Sequence, residues 1–323
     1  MIKSYLFSQD GKSRDDVLPG ELAQILNEES HVLWLDFFKA TPEEIKILSE
    51  VFRFHPLSIE DCTSVIHHPK IDNFEDYIFM VLHAPDLKRT GEKIRTTEID
   101  IFLGKNFVVT YHEQPIRAVS ALQEKCQKNI ESVLSKGADF VMYLLVDSIM
   151  ENYMPILDKL DERIERCIDS ILHQPSSTVL DEIFSLKRGL LYLRRVISPQ
   201  RDTINRLTRE EFHYITSRSR VYFRDVYDRL IRIFDLLETY RDVIIGAQDT
   251  YLSSVSQRTN DVIRVLTIVS TIIMPPSLIA SIFGMNFRFM PELTWKWGYP
   301  FSLGLMAASS VIMLYLMKKN KWF

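Results

Sequence analysis

The chain has 323 residues, 46% hydrophobic and 25% charged, with 39 Lys and Arg against 43 Asp and Glu. A net charge of -4 offers no concentrated basic surface and argues against nucleic acid as a partner. Cys62, Cys126 and Cys167 are odd in number and widely spaced, show no metal or redox motif, and predict reduced, buried thiols in a cytoplasmic region.

Met1-Ile2-Lys3-Ser4 lacks the apolar core of a secretory leader, so the N-terminal portion is expected to remain cytoplasmic. Residues 31–37 (HVLWLDF) predict a strand, and Thr41-Pro42-Glu43-Glu44 supplies a helix N-cap with proline in the first turn. A further strand is predicted over 77–82, and strands over 98–103 and 107–111 flank the turn Gly104-Lys105-Asn106. Helical patterning from 115 to about 136 completes an α/β domain assigned to residues 1–137. His67-His68 precedes Pro69 in a predicted loop with no third ligand nearby and is assigned to structure. With no nucleophile constellation, phosphate loop or metal-ligand cluster, neither an enzyme nor an organic cofactor is expected.

Residues 138–219 are predicted to be an antiparallel helical coiled-coil region. Ile156, Leu160, Ile164 and Ile168 recur every four residues until His173-Gln174-Pro175 ends the helix. Ile183, Leu186, Leu190, Leu193 and Ile197 then alternate steps of three and four, a seam packing against its predecessor. After Pro199 and a polar stretch the rhythm restarts with Tyr227, Leu230, Phe234, Leu237, Ile244, Gln248, Tyr251 and Val255. Residues 220–284 therefore predict one helix, which at ~1.5 Å per residue is nearly 100 Å long, a stalk leading into a bilayer.

Two uncharged apolar runs follow, over 265–284 and 298–317, each meeting the roughly 20 residues needed to span the hydrocarbon core. The first transmembrane helix is placed at about 262–284 and the second at 298–317, with an outer loop over 285–297 and a basic tail over 318–323. Arg258 and Arg264 before the first span, with Lys318, Lys319 and Lys321 after the second, orient both termini to the cytoplasm. Trp295, Trp297, Tyr299 and Trp322 suit interfacial belts.

Two spans cannot enclose an aqueous path, so conduction would require several copies around an axis. Ser270, Met274, Ser277 and Ser281 share one face of the first span and continue Ile263 and Leu266, whereas Ile268, Ile272, Ile279 and Ile282 occupy the other side. Small polar residues on one face point to protein or water rather than lipid. Alternatively these hydroxyls bond the carbonyls four residues back and permit close packing. Pro275-Pro276 removes backbone donors in mid-span and predicts a kink.

Thr259-Asn260, Met274-Pro275, Phe283-Gly284-Met285-Asn286-Phe287, Met290-Pro291-Glu292-Leu293 and Trp297-Gly298-Tyr299-Pro300 form a set, completed by the tail ending Lys321-Trp322-Phe323. Further segments are His67-His68-Pro69-Lys70, Tyr222-Phe223-Arg224-Asp225-Val226-Tyr227-Asp228 and Tyr251-Leu252-Ser253-Ser254-Val255. Over nearly its whole length the chain thus resembles the CorA magnesium transporter family. The resemblance implies a funnel-shaped homopentamer in the plasma (inner) membrane, with long stalk helices lining a pore and the second span forming an outer ring. It implies transport of Mg²⁺, with Co²⁺ or Ni²⁺ as further cargo.

On this reading five Asn286 amides at the outer mouth grip a hydrated ion, since Mg²⁺ dehydrates reluctantly. Gly284 permits close helix approach and Met285 packs to hold the loop, while a left-handed helix cap is the alternative for Asn286. Met274 and Leu266 would form apolar gating rings, with Ile263 extending the constriction and Asn260 a polar cytoplasmic ring; each could equally be bundle core. The family's regulation by cytoplasmic Mg²⁺ between subunits maps to Asp225, through its Tyr-Phe-Arg-Asp context; Asp86, in the connection after the strand over 77–82, is taken as its partner, with a solvated structural charge as the alternative. Asp225 could instead be a solvated charge pairing with Arg224 or Arg229. Arg288, where the family often has an acidic residue, opposes cation accumulation unless it pairs with Glu292 or turns outward. A zinc exporter, in a branch that usually replaces the Met of the triplet, and a non-conducting sensor are the other classes considered.

Overall fold

The computed structural model describes residues 1–28, 30–64, 68–86, 94–173, 175–286, 288, 290–291, 295–320 and 322. They divide into two compact units, Met1–Gln248 and Asp249–Phe323.

In the first unit β1 (Ile2–Ser8), β2 (Ser13–Asp15), β3 (His31–Phe38), β4 (Lys70–Asn73), β5 (Ile78–Pro85), β6 (Thr96–Leu103) and β7 (Phe107–His112) build one sheet. Its order is β2-β1-β3-β7-β6-β5-β4. Among the described strand pairs only β3 and β7 run parallel. The expected hairpin closes through Gly104, whose N–H donates to the Phe107 carbonyl at 3.0 Å. The expected cap opens α2 (Pro42–Glu50): Thr41 Oγ1 accepts from the Glu44 N–H, and Glu44 Oε2 accepts from the Thr41 N–H at 2.8 Å.

Every residue of β5 is buried because both faces of the sheet are covered. Successive side chains point to opposite faces. Phe79 and Val81 join Leu33, Phe37 and Phe102 in a core closed by α1 (Leu22–Asn27), α2 and α3 (Pro56–Thr63) through Leu22, Leu48 and Cys62, with Phe54 added from the connection between α2 and α3. Against the sheet also pack α5 (Ile130–Leu134) and α6 (Ala138–Glu151), the latter with α4 (Arg117–Lys128). The single helical pattern expected over 115–136 is thus two helices, divided where Asn129 turns extended and caps the second. The three cysteines are free and buried, as expected.

Asp100 is buried in β6, and burial first, then repulsion from Glu98 and Asp61, holds its carboxyl well above the usual carboxylate range. The folded chain keeps a proton there that the unfolded chain loses, so stability falls as pH rises from the unfolded value of about 3.9 towards the folded one. Asp100→Asn is expected to flatten that decline. Thermal unfolding of the full chain, followed by circular dichroism across pH, checks it; an unchanged slope refutes it.

The helical region comprises α7 (Met154–His173), α8 (Ser177–Arg209) and the start of α9 (Ser217–Phe283). α7 and α8 run antiparallel, with Tyr153 bonded to Gln200 at 3.1 Å and Arg163 paired with Glu182 at 2.8 Å. The buried residues of α7 include Leu157, Leu160, Ile164, Cys167 and Ile171, whereas Ile168 is only half-buried. Strict four-residue steps advance about 40° per step around a helix, so they leave a contact face that alternating threes and fours keep. On α9, whose expected seam already alternates threes and fours, Phe223, Val226, Leu230, Ile233, Leu237, Ile244, Ala247 and Tyr251 are buried, whereas Tyr227, Phe234 and Gln248 are half-buried beside them and Val255 is exposed.

α8 passes through Pro199 to Arg209, and the expected restart of the apolar rhythm falls in α9. The missing backbone donor costs a helix bond, but Gln200, Thr203, Ile204 and Leu207 beyond it are all buried. Gln200 accepts from the His83 N–H at 2.8 Å and donates to the Tyr153 hydroxyl, tying α8 to the sheet. Tertiary packing outweighs the local signal.

Among the described residues three helical stretches are long and apolar enough to cross a membrane: Ala138–His173, Ser217–Phe283 and Gly298–Lys319. The apolar window of the first is 56% buried within the chain, against 0% and 11% for the others. Its apolar face is spent on the domain core. The second unit holds the membrane-length part of α9 and α10 (Gly298–Lys319).

Candidate functional site

α9 is unbroken from Ser217 to Phe283 and contains Pro275 and Pro276. The helix continues through both prolines, which leave the carbonyls of Thr271 and Ile272 without their helical donors. Near its end Gly284 N–H donates to the Ala280 carbonyl at 2.9 Å and Met285 N–H to the Ile282 carbonyl at 3.3 Å. A Cβ on Gly284 would lie 3.2 Å from the Ala280 carbonyl oxygen, a tight contact within its own helix. Met285 is exposed within its own chain.

Asn286 is exposed just past this end. Left-handed non-glycine residues among those described are Asp16, Lys39 and Arg53, so Asn286 is not a left-handed helix cap. Arg288 is also exposed, while Glu292 lies outside the described residues.

Ile263, Leu266, Ser270, Met274, Ser277 and Ser281 are all exposed, and at 100° per residue they fall within an arc of about 80° on α9. Asn260 extends this exposed strip towards the helix start. Ile268, Ile272 and Ile279 on the far side are half-buried, but Ile282 is exposed. Exposure alone does not single the strip out, since Val262, Val269 and Ile273 are exposed too; the hydroxyls do. One of them, Ser281, donates to the Ser277 carbonyl at 2.8 Å, so the back-bonding alternative holds at that residue.

The two residues assigned to regulation lie in the first unit. Asp225 on α9 has a side chain 65% exposed and pairs with Arg229 at 3.6 Å, one turn on. Asp86, half-buried after β5, donates its N–H to the Arg95 carbonyl at 3.0 Å. Among the described residues no three His, Cys, Asp or Glu side chains gather as a metal-binding group within one chain. Sequence reasoning missed Asp147 on α6, which faces Arg229 at 3.0 Å. Its only sequence signal is an acidic residue midway along the largely apolar helix Ala138–Glu151, between Asp139 and Glu151 at its two ends.

Residues 29–319 match the family model described as CorA-like Mg2+ transporter protein. The cobalt/magnesium transport protein CorA of Thermotoga maritima is 38% identical over 278 residues, covering 86% of this chain and 79% of that protein. The protein of the same description from Methanocaldococcus jannaschii is 26% identical over 323 residues, covering 100% of both. The complete structure of the CorA magnesium transporter from that organism superposes with a TM-score of 0.85 at 23% identity, covering 100% of this chain and 99% of that one. With nine-tenths of its length inside the family model, the chain belongs to the CorA-like Mg2+ transporter family.

Proposed function

We propose that this protein is a homopentameric channel that passes hydrated Mg²⁺ across the plasma (inner) membrane and is closed by cytoplasmic Mg²⁺. Its family is one of transporters, not enzymes. Two spans per copy, within 262–284 and 298–317, leave both termini cytoplasmic. Five copies of α9 line the path with Asn260, Ile263, Leu266, Ser270, Met274, Ser277 and Ser281. Gly284, Met285 and Asn286 shape the outer mouth, with Arg288 and Glu292 in the outer loop beyond it.

The observation carrying this reading is that one exposed, hydroxyl-bearing strip of α9 leads to the Gly-Met-Asn end of the same helix. Mg²⁺ holds its waters tightly, and neutral amide oxygens can hydrogen-bond those waters without removing them. Relatives described as cobalt/magnesium transport proteins support Co²⁺ as a second cargo, and Ni²⁺ follows as a third divalent ion of similar hydrated size. Regulation is assigned to Mg²⁺ bridging Asp225 of one copy and Asp86 of another, where facing carboxylates repel until a divalent ion joins them.

The test is divalent-cation flux into proteoliposomes holding the purified full chain, with internal Mg²⁺ varied. Flux of Mg²⁺ that declines as internal Mg²⁺ rises is expected. No flux would favour a non-conducting sensor, and dependence on proton or zinc gradients an exporter. Asp225→Ala is expected to remove the protection of the stalk by millimolar Mg²⁺ in limited proteolysis; an identical digestion pattern would count against that site.

A further inference from the structure

Arg229 stands between two carboxylates on different helices. Its Nη1 lies 3.0 Å from Asp147 Oδ1 on α6, and its Nη2 lies 3.6 Å from Asp225 Oδ2 on α9. The Arg229 and Asp147 side chains are each 24% exposed, against 65% for Asp225. The inner pair is therefore shielded, and the outer carboxylate remains open to solvent. Asp147 Oδ1 is buried with no aligned hydrogen bond, so its tie to Arg229 is electrostatic. Burial raises the Asp147 carboxyl above its usual range, with Arg229 opposing the rise and Glu151 and Asp225 adding to it. Tyr143 on α6 lies within electrostatic reach of Asp147, Asp225 and Arg229, and its ring stacks on that of Tyr222 on α9 at 4.9 Å between centroids.

A guanidinium beside Asp225 puts positive charge where a divalent ion would approach. A hydrated Mg²⁺ held through one or two carboxylates gains modest Coulomb energy at an exposed site, and a fixed cation nearby subtracts from it. Asp147 decides how firmly the guanidinium is drawn inward. From this geometry we infer that Arg229 is a built-in competitor of Mg²⁺ for Asp225, and that Asp147 sets its strength by holding it back. The inference rests on the regulatory reading of Asp225. It explains how a carboxylate sensor stays weak enough to release its ion when the cytoplasm is depleted.

The experiment is limited proteolysis of the full-length protein over a Mg²⁺ titration, reading the half-point of stalk protection. Arg229→Gln is expected to lower that half-point about two- to fivefold, the range of a partly exposed ion pair. Asp147→Asn frees Arg229 to bind Asp225 and is expected to raise it by a similar factor. In the Arg229→Gln/Asp147→Asn double variant the Asp147→Asn effect should vanish, because the residue through which it acts is gone. Arg229→Met, which keeps the stem's packing, stands in if the Gln variant does not fold.

A half-point unchanged or raised on removing Arg229 overturns the inference, as does an Asp147→Asn effect that persists in the double variant. Those results leave the sensor intact provided Asp225→Ala still abolishes protection. Full protection in Asp225→Ala removes the regulatory reading itself.

Discussion

Asn286→Ala is expected to abolish Mg²⁺ flux while leaving the oligomer intact. In the proposed pentamer five amides around an axis would act on the same hydrated ion, and each hydrogen bond lost costs about 0.5–1.5 kcal/mol. Together they would raise the free energy of the ion at the mouth by about 3 kcal/mol or more, over a hundredfold in rate. The residue is exposed beyond the helix end and is not a left-handed cap, so its removal should leave the fold unchanged. Flux into proteoliposomes beside the size of the assembly in detergent reads both consequences; undiminished flux would remove Asn286 from the selectivity role.

Met274→Ser is expected to open a leak that persists at high internal Mg²⁺. Met274 is 69% exposed within its own chain. Such an apolar side chain facing an axis from several copies makes a ring from which water withdraws, closing the path without a plug. Five hydroxymethyl groups would hold water there, and basal conductance should rise several-fold. Planar-bilayer currents at saturating internal Mg²⁺ measure it, and a current at or below wild type contradicts the gate.

Much of this architecture is legible locally. The Thr41 cap, the Gly104-Lys105-Asn106 turn and the apolar runs over 265–284 and 298–317 each carry their cause within a few neighbouring residues. The Ala138–His173 stretch shows the limit of that logic, because its composition alone also permits a membrane span. Only its burial against the sheet assigns it to the domain.

What the sequence determined was the set of elements with local causes: strand alternation, helix caps, the length of the stalk and the triplet at its end. Side-chain period and apolar length act within one segment, so one segment suffices to read them. What only the tertiary structure decided was which face of each helix is buried, that α8 survives Pro199, and that Arg229 joins Asp147 to Asp225. These depend on residues far apart in the chain, whose contacts outweigh local preference by the burial and charge pairing that folding alone supplies.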